Sequence, residues 1–288
     1  MNGNKAIDTQ LLQMANTLMT YGYHIKGSGL MNGKMGIVLF LYAYSRYAGS
    51  KDVEEFAGDM LDVVMKDVKR MGADFESGFT GVGWGLRWLF RNGFVEGDMN
   101  QILKPIDEGV FSRMDCNPAM SSFGQLVYLA DRMGDSNPEY DLRKMVNIVL
   151  ENIGKGITVH ADELQLTHVN AIYYFLNHVR DCGNEKEIKT IERLLSTRVH
   201  DMAGDGLRDD MAIPPCSEDM YIQNYIASAL REYMFSGKSD PVVLPYLVIE
   251  DFVTAAYQRL LTEDMTFRKG FAGLGFILLT NLFNKKNN

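Results

Sequence analysis

The chain has 288 residues, of which 46% are hydrophobic, 11% aromatic and 23% charged, a composition that supplies a large apolar core and excludes a disordered chain. The formal net charge is −8, and the 29 lysine and arginine residues are scattered along the chain rather than gathered in one stripe. This distribution argues against a surface that follows nucleic-acid phosphates.

The N-terminal segment and the cysteines favour a cytoplasmic protein. Residues 1–10 are polar and lack the charged and then apolar regions of a secretory signal. The longest apolar runs, such as 36–44, reach about half of the roughly 20 residues that a membrane helix needs, so we expect no membrane insertion. The three cysteines are far apart in the sequence and do not describe a disulfide framework.

Hydrophobic periodicity and turn signals predict twelve helices and no strands. In chain order, the helices are expected at 6–21, 35–48, 52–71, 82–92, 99–113, 121–133, 138–153, 166–180, 185–199, 219–235, 245–262 and 271–283. One long irregular segment, 201–217, contains Gly204 to Gly206 and two prolines, and loops of this length are often functional. We expect it to lie over one mouth of the domain.

The helices fall into two alternating kinds. In 52–71 the apolar residues recur every three or four positions, which predicts an outer helix with one buried face. In 36–44 the residues are apolar all round, which predicts an inner helix enclosed on both sides.

A short glycine motif recurs before the inner helices. Gly-x-x-Gly followed by an aliphatic residue stands at 33–37, 78–82 and 270–274, and weaker copies are centred on Gly124, Ala171 and Asn224. The copies recur about every 48 residues, a period that fits one helical hairpin. The sequence therefore predicts one all-α domain, 1–288, built from six helical hairpins.

These glycine repeats resemble those of the lanthionine synthetase C-like (LanC-like) family. Residues 29–37 resemble the family's first repeat, 79–86 its second and 270–279 its last. The resemblance implies an α/α toroid, with inner and outer rings of helices and the active site at one end of the central cavity.

The family's zinc motifs are missing from this chain. In the family's cyclases, two cysteines and a histidine hold zinc, which binds a peptide cysteine thiolate for addition to a dehydrated serine or threonine. Neither Trp-Cys-x-Gly nor Cys-His-Gly occurs here, although Cys216 stands near the position of one zinc cysteine. We therefore expect a divergent, zinc-deficient relative with no cofactor, in which Cys216 is the one residual candidate for a metal ligand.

One histidine matches a catalytic position of the family. Leu166-Thr167-His168-Val169-Asn170 resembles the Ala-His-Gly segment of the fourth repeat, with one deletion in the alignment. The resemblance implies that His168 is a general acid or base. The alternative is a partly buried histidine that packs or caps at a helix start.

Polar residues near the starts of the inner helices are candidates for ligand binding. If these starts share one side, their unsatisfied N–H groups favour anionic or carbonyl-rich ligands at a cavity mouth. The alternative for each side chain is a helix cap or a solvated rim. The candidate binding residues are Asn32, Lys34, Ser77, Thr80, Asn170, Asp219, Arg268 and Lys269.

The resemblance favours a protein that binds or helps to process a modified peptide, with a peptide or partner protein from a modification pathway as its ligand. A second hypothesis is a zinc-free catalyst that uses His168. A third is a carbohydrate-active toroid enzyme, a hydrolase, epimerase or lyase, which needs acids on either side of a sugar. Its candidate carboxylates are Glu76, Asp162, Glu163, Asp205, Asp209, Asp210, Glu218 and Asp219.

Overall fold

In its described part, the computed structural model consists of helices and the loops that connect them. It describes residues 2–114, 123–135, 142–160, 164, 166–205, 226, 229–230, 233–234, 246–259 and 261–286. Within these ranges no strand occurs. No helix in them is long and apolar enough to cross a membrane.

Eleven α-helices have defined bounds in the described ranges. They are α1 (Asn2–Tyr21), α2 (Lys34–Ala48), α3 (Lys51–Asp67), α4 (Phe79–Arg91), α5 (Met99–Met114), α6 (Phe123–Met133), α7 (Leu142–Val159), α8 (Leu166–Val179), α9 (Glu185–Asp205), α10 (Tyr246–Arg259) and α11 (Phe271–Lys286). Short 3-10 helices cover Gly22–His24, Val68–Arg70 and Thr262–Met265. Eleven of the twelve predicted helices are thus confirmed, and the other, 219–235, lies largely outside the described residues.

The prediction that 201–217 is irregular is wrong at its beginning. Helix α9 continues to Asp205, six residues beyond the predicted end at 199. Met202 and Ala203 are strong helix formers, and one glycine near the end of a helix costs only about 1 kcal/mol. Residues 206–217 lie outside the described part of the chain.

The chain divides into two compact units. The first comprises Met1–Arg70 with Pro214–Asn288, and the second comprises Met71–Ile213. The prediction of a single domain over 1–288 and the prediction of a ring both remain predictions.

In the first unit, α2 is the central helix. Its residues 34–45 are all buried, and it packs against α3 and α11. Gly49 has a φ of +64° and ends α2 in the left-handed conformation, which glycine adopts most readily. The prediction that this helix is enclosed on all sides is confirmed.

Helix α3 has one exposed face and one buried face, as predicted. The Ser50 hydroxyl accepts a hydrogen bond from the Val53 amide at 3.4 Å and caps its first turn. Its buried residues are Val53, Ala57, Met60 and Val64.

In the second unit, α4 is the enclosed helix and packs against α5 and α6, while α6 also packs against α8. Gly83 permits the close approach of α4 to its neighbours. A Cβ atom there would lie 2.6 Å from Tyr128 Cε2 and 2.9 Å from Ile106 Cγ2.

Candidate functional site

The loops before α2 and α4 fold back on the helix starts in the same way. The Lys34 amide donates a hydrogen bond to the Gly27 carbonyl at 3.3 Å, and the Phe79 amide donates to the Gly72 carbonyl at 2.9 Å. In both cases the acceptor stands seven residues before the first helical residue. The repeat seen in the sequence is therefore a repeat of loop geometry.

Glycine is needed at the last loop position because the two backbone segments touch there. A Cβ atom on Gly33 would lie 2.5 Å from the Gly29 amide nitrogen, and one on Gly78 would collide with the backbone of Gly72 and Asp74. The carbonyls of Gly27 and Gly72 also accept a hydrogen bond from the first N–H group of each helix. Those two N–H groups are consequently engaged within the protein, in contrast to the open anion-binding N–H groups expected from the sequence.

Two of the predicted mouth residues hold these loops in place. Lys34 is 8% exposed, and its Nζ donates hydrogen bonds to the carbonyls of Ile25 at 2.5 Å and Gly27 at 3.5 Å. Thr80 is fully buried, and its hydroxyl donates to the Ala73 carbonyl at 2.8 Å. Both side chains thus form hydrogen bonds to loop carbonyls at the positions where the sequence predicted ligand binding.

Three other predicted residues lie together in the first unit. The Arg268 amide donates to the Met31 carbonyl at 2.9 Å, which joins the loop before α11 to the loop before α2. Asn32 and Lys269 are exposed on either side of this bond, and the Arg268 side chain is half-buried. This part of the predicted mouth presents an amide and two cations.

The second unit holds Ser77 and His168. Ser77 is exposed, and its amide donates to Asp74 Oδ1 at 2.7 Å just before α4. His168 is the third residue of α8 and half-buried, and burial lowers the pKa of its imidazole below 6.5. The imidazole is therefore mainly neutral at pH 7 and suited to accept a proton.

The remaining predicted site residues fall outside what the structure describes. Asn170 belongs to α8, but its side chain is outside the description, as are Asp219 and Cys216. Within the described ranges, no three His, Cys, Asp or Glu side chains are grouped so as to hold a metal ion. Of the candidate carboxylates of the carbohydrate hypothesis, only Glu76 has a described side chain, and it is exposed.

The sequence reasoning missed a buried network of charges in the second unit. Asp135 accepts hydrogen bonds from Arg87 Nε at 2.7 Å, from Arg91 Nη2 at 2.9 Å and from Arg132 Nη1 at 3.1 Å. Asp107 accepts from Arg132 Nη2 at 3.0 Å and from the Tyr128 hydroxyl at 2.6 Å. The network therefore joins α4, α5 and α6 to the turn after α6.

Asp131 extends the network to α8. It pairs with Arg87 Nη1 at 3.1 Å and accepts a hydrogen bond from the Tyr174 hydroxyl at 2.7 Å. Burial and this hydrogen bond raise the pKa of Tyr174, which keeps the phenol protonated. The three aspartates thus face three arginines, Arg87, Arg91 and Arg132, and the formal charges cancel.

The pKa values within the network follow from burial and pairing. Burial raises the pKa of Asp107, against the opposing effect of its hydrogen bonds from Arg132 and Tyr128. Burial opposes the charge on Arg132, but its contacts with Asp107 and Asp135 raise its pKa overall. Each of the three carboxylates is thus paired with at least one arginine. No local pattern in the sequence marks this pairing, because Arg87 and Asp135 are 48 residues apart.

Comparison of the chain with protein-family models, with curated proteins and with solved structures finds no match. The resemblance to the LanC-like family therefore remains a prediction from the sequence motifs.

Proposed function

We propose that this chain is a divergent, zinc-deficient LanC-like protein that binds a modified peptide or helps to process one. The observation that carries the proposal is the repeated loop before α2 and α4, where Gly27 and Gly72 accept the first N–H group of the helix. The same loop geometry recurs 45 residues apart in the chain, which supports a repeat of helical hairpins with glycine-initiated inner helices.

An α/α toroid is the arrangement that we propose for the helices. Helix α11, from the last repeat, packs against α1 and α2 from the first repeat. Contact between the first and last repeats supports closure, since an open solenoid keeps its terminal repeats apart.

We assign the binding of peptide to the three predicted mouth residues that lie together in the first unit, the exposed Asn32 and Lys269 and the half-buried Arg268. Two cations beside an amide favour carbonyl-rich or acidic peptide segments. His168 is the candidate base, because its lowered pKa keeps the imidazole neutral near pH 7.

Binding is tested with a short fluorescein-labelled peptide that carries one dehydroalanine and one cysteine, and with its serine counterpart. We expect the double variant Arg268→Glu/Lys269→Glu to weaken binding of the dehydroalanine peptide about tenfold or more. Each cation that attracts the carbonyl or carboxylate oxygens of the peptide becomes an anion that repels them. The control Lys186→Glu/Lys189→Glu makes the same change in charge on the exposed face of α9. Equal losses in the two double variants would reject the site.

Metal content and catalysis are tested separately. Stoichiometric zinc in the purified, untagged protein, lost on Cys216→Ala, would overturn the zinc-deficient assignment.

If the protein consumes the dehydroalanine peptide, His168→Ala should abolish most of the turnover and leave peptide binding in place. Full turnover by His168→Ala would remove its catalytic role. A bound oligosaccharide that displaces the peptide would favour the carbohydrate-active hypothesis instead.

A further inference from the structure

Two exposed asparagines of the chain are each followed by a glycine. Asn-Gly pairs stand at 2–3, 32–33 and 92–93, and the side chains at 2–3 lie outside the description. Asparagine loses its amide most readily before glycine, because no Cβ atom on the next residue hinders ring closure. Asn32 and Asn92 are both exposed, so the two described pairs differ in their backbone contacts rather than in access to solvent.

The loss of the amide uses the backbone nitrogen of the glycine as its nucleophile. After this nitrogen has lost its proton, its electron pair attacks Cγ of the asparagine, a C–N bond forms and the side-chain nitrogen leaves as ammonia. Water then opens either carbonyl of the resulting succinimide and gives aspartate or isoaspartate. The balance is one water taken up and one ammonia released. The glycine nitrogen must therefore be able to turn towards the side chain that precedes it.

The pair at 32–33 belongs to the closely packed loop before α2. Gly33 is buried, and a Cβ atom there would lie within 3 Å of the backbone of 28–29. The backbone is also bonded on both sides of the pair, because the Met31 carbonyl and the Lys34 amide each form a hydrogen bond to another part of the chain. The nitrogen of Gly33 therefore cannot turn towards its neighbour's side chain unless the loop opens.

The pair at 92–93 lies at the exposed end of α4. Gly93 is exposed with a φ of +63°, and a Cβ atom there would meet nothing within 4 Å. Its amide donates to the Phe90 carbonyl at 2.9 Å, and the Asn92 side chain donates to the Trp88 carbonyl at 2.9 Å. Hydrogen bonds of a last helical turn open at little cost in free energy, because helix ends fray. Local fraying therefore releases the nitrogen of Gly93 without the opening of a packed loop.

We propose that Asn92 is a site of spontaneous modification in the folded protein, with water as the co-reactant, and that the loop before α2 protects Asn32. The new carboxylate stands at the C-terminal end of α4, where the helix dipole disfavours a negative charge. Isoaspartate also lengthens the backbone between Trp88 and Phe94, whose rings stack with a centroid separation of 5.3 Å. Modification thus loosens the end of α4 with time. The proposal does not depend on the peptide-processing function proposed above.

The test incubates the folded, full-length protein at mildly alkaline pH and follows both positions by mass spectrometry of proteolytic peptides. We expect the amide at position 92 to be lost about tenfold faster, or more, than the amide at position 32, because the packed loop must open before its ring can close. In concentrated urea the two rates should agree to within about twofold, since the contacts of the folded protein are gone. Equal rates in the folded protein, or faster loss at position 32, would overturn the proposal. A tenfold difference that persists in urea would overturn it as well, because the sequence rather than the structure would then set the rates.

The matched variants are Asn92→Gln and Asn32→Gln, which both keep a side-chain amide at an exposed position. Glutamine would have to close a larger ring and reacts more slowly. Asn92→Gln should therefore abolish the loss of amide at position 92, and Asn32→Gln should leave that loss unchanged. The consequence for α4 is tested with Asn92→Asp, which reproduces the charge of the product and should speed hydrogen exchange at the amides of 93–94. Exchange as slow as in the unmodified protein would overturn the loosening of α4.

Discussion

Arg132 and Asp107 form a salt bridge that is sealed from solvent. Arg132 Nη2 lies 3.0 Å from Asp107 Oδ2, and the two side chains are 0% and 1% exposed. Arg132 donates at the same time to Asp135, in the turn that follows its own helix, while Asp107 belongs to α5. One arginine therefore holds two elements of the second unit to α6.

Asp107→Ala should strongly destabilise the second unit. The substitution leaves the guanidinium of Arg132 buried without one of its counter-charges, and breaking a buried pair in this way costs about 3–5 kcal/mol. The measurement is the free energy of unfolding from urea titration. Lys189→Ala, which breaks the exposed pair with Glu185, is the control and should leave the unfolding curve unchanged. A similar small effect for both variants would show that the buried pair contributes little.

Gly83→Ala and Gly154→Ala should change stability in opposite directions. The first adds a methyl group 2.6 Å from the ring of Tyr128, which overpacks the contact between α4 and α6 and costs about 1–3 kcal/mol. The second adds one 3.9 Å from Ile191 Cγ1, in ordinary contact, and removes a helical glycine, which should stabilise α7 by up to about 1 kcal/mol. Thermal unfolding of the two variants measures the difference. Stabilisation by Gly83→Ala would mean that α4 and α6 are less closely packed than described.

The sequence predicted the helices well because their signals are local. Periodic apolar residues in α3, the all-round apolar run of α2 and the flanking turns depend on residues close together in the chain. The recurrence of the glycine motifs is also local, and Gly33 and Gly78 permit close backbone contacts within their own loops.

The buried charge network could not be predicted in the same way. An arginine on an apolar helix, such as Arg87, has the same local appearance whether it reaches solvent or pairs with Asp135. Only the packing of α4 against α6 brings the two together. Lys34 and Thr80 illustrate the same difficulty, because their positions at helix starts were predicted but their hydrogen bonds to loop carbonyls were not.

Lys34→Met should destabilise the loop before α2. It retains most of the apolar stem and removes the ammonium group, which leaves the Ile25 carbonyl without its hydrogen bond from Nζ. A buried carbonyl that loses its donor costs about 1–3 kcal/mol. Hydrogen exchange should become faster at the amide of position 34, which donates to Gly27. Lys51→Met, at an exposed helix start, should change neither quantity, and equal exchange rates in both variants would favour the ligand-binding role first predicted for Lys34.

The lowered pKa of His168 makes stability depend on pH in a defined direction. Because the folded protein holds the proton less tightly than the unfolded chain, whose histidine pKa is about 6.5, the unfolded chain binds more protons below that pH. The contribution of His168 to the free energy of unfolding is therefore fully present well above about pH 6.5 and decreases as the pH falls through 6.5 towards the folded pKa. His168→Gln, which cannot titrate, should flatten this part of the profile measured by urea titration between about pH 8 and pH 5.5. His24→Gln, at an exposed position, should leave the slope in place. A slope that survives His168→Gln would mean that the imidazole is more accessible to solvent than its place in α8 implies, and would weaken its assignment as a neutral base.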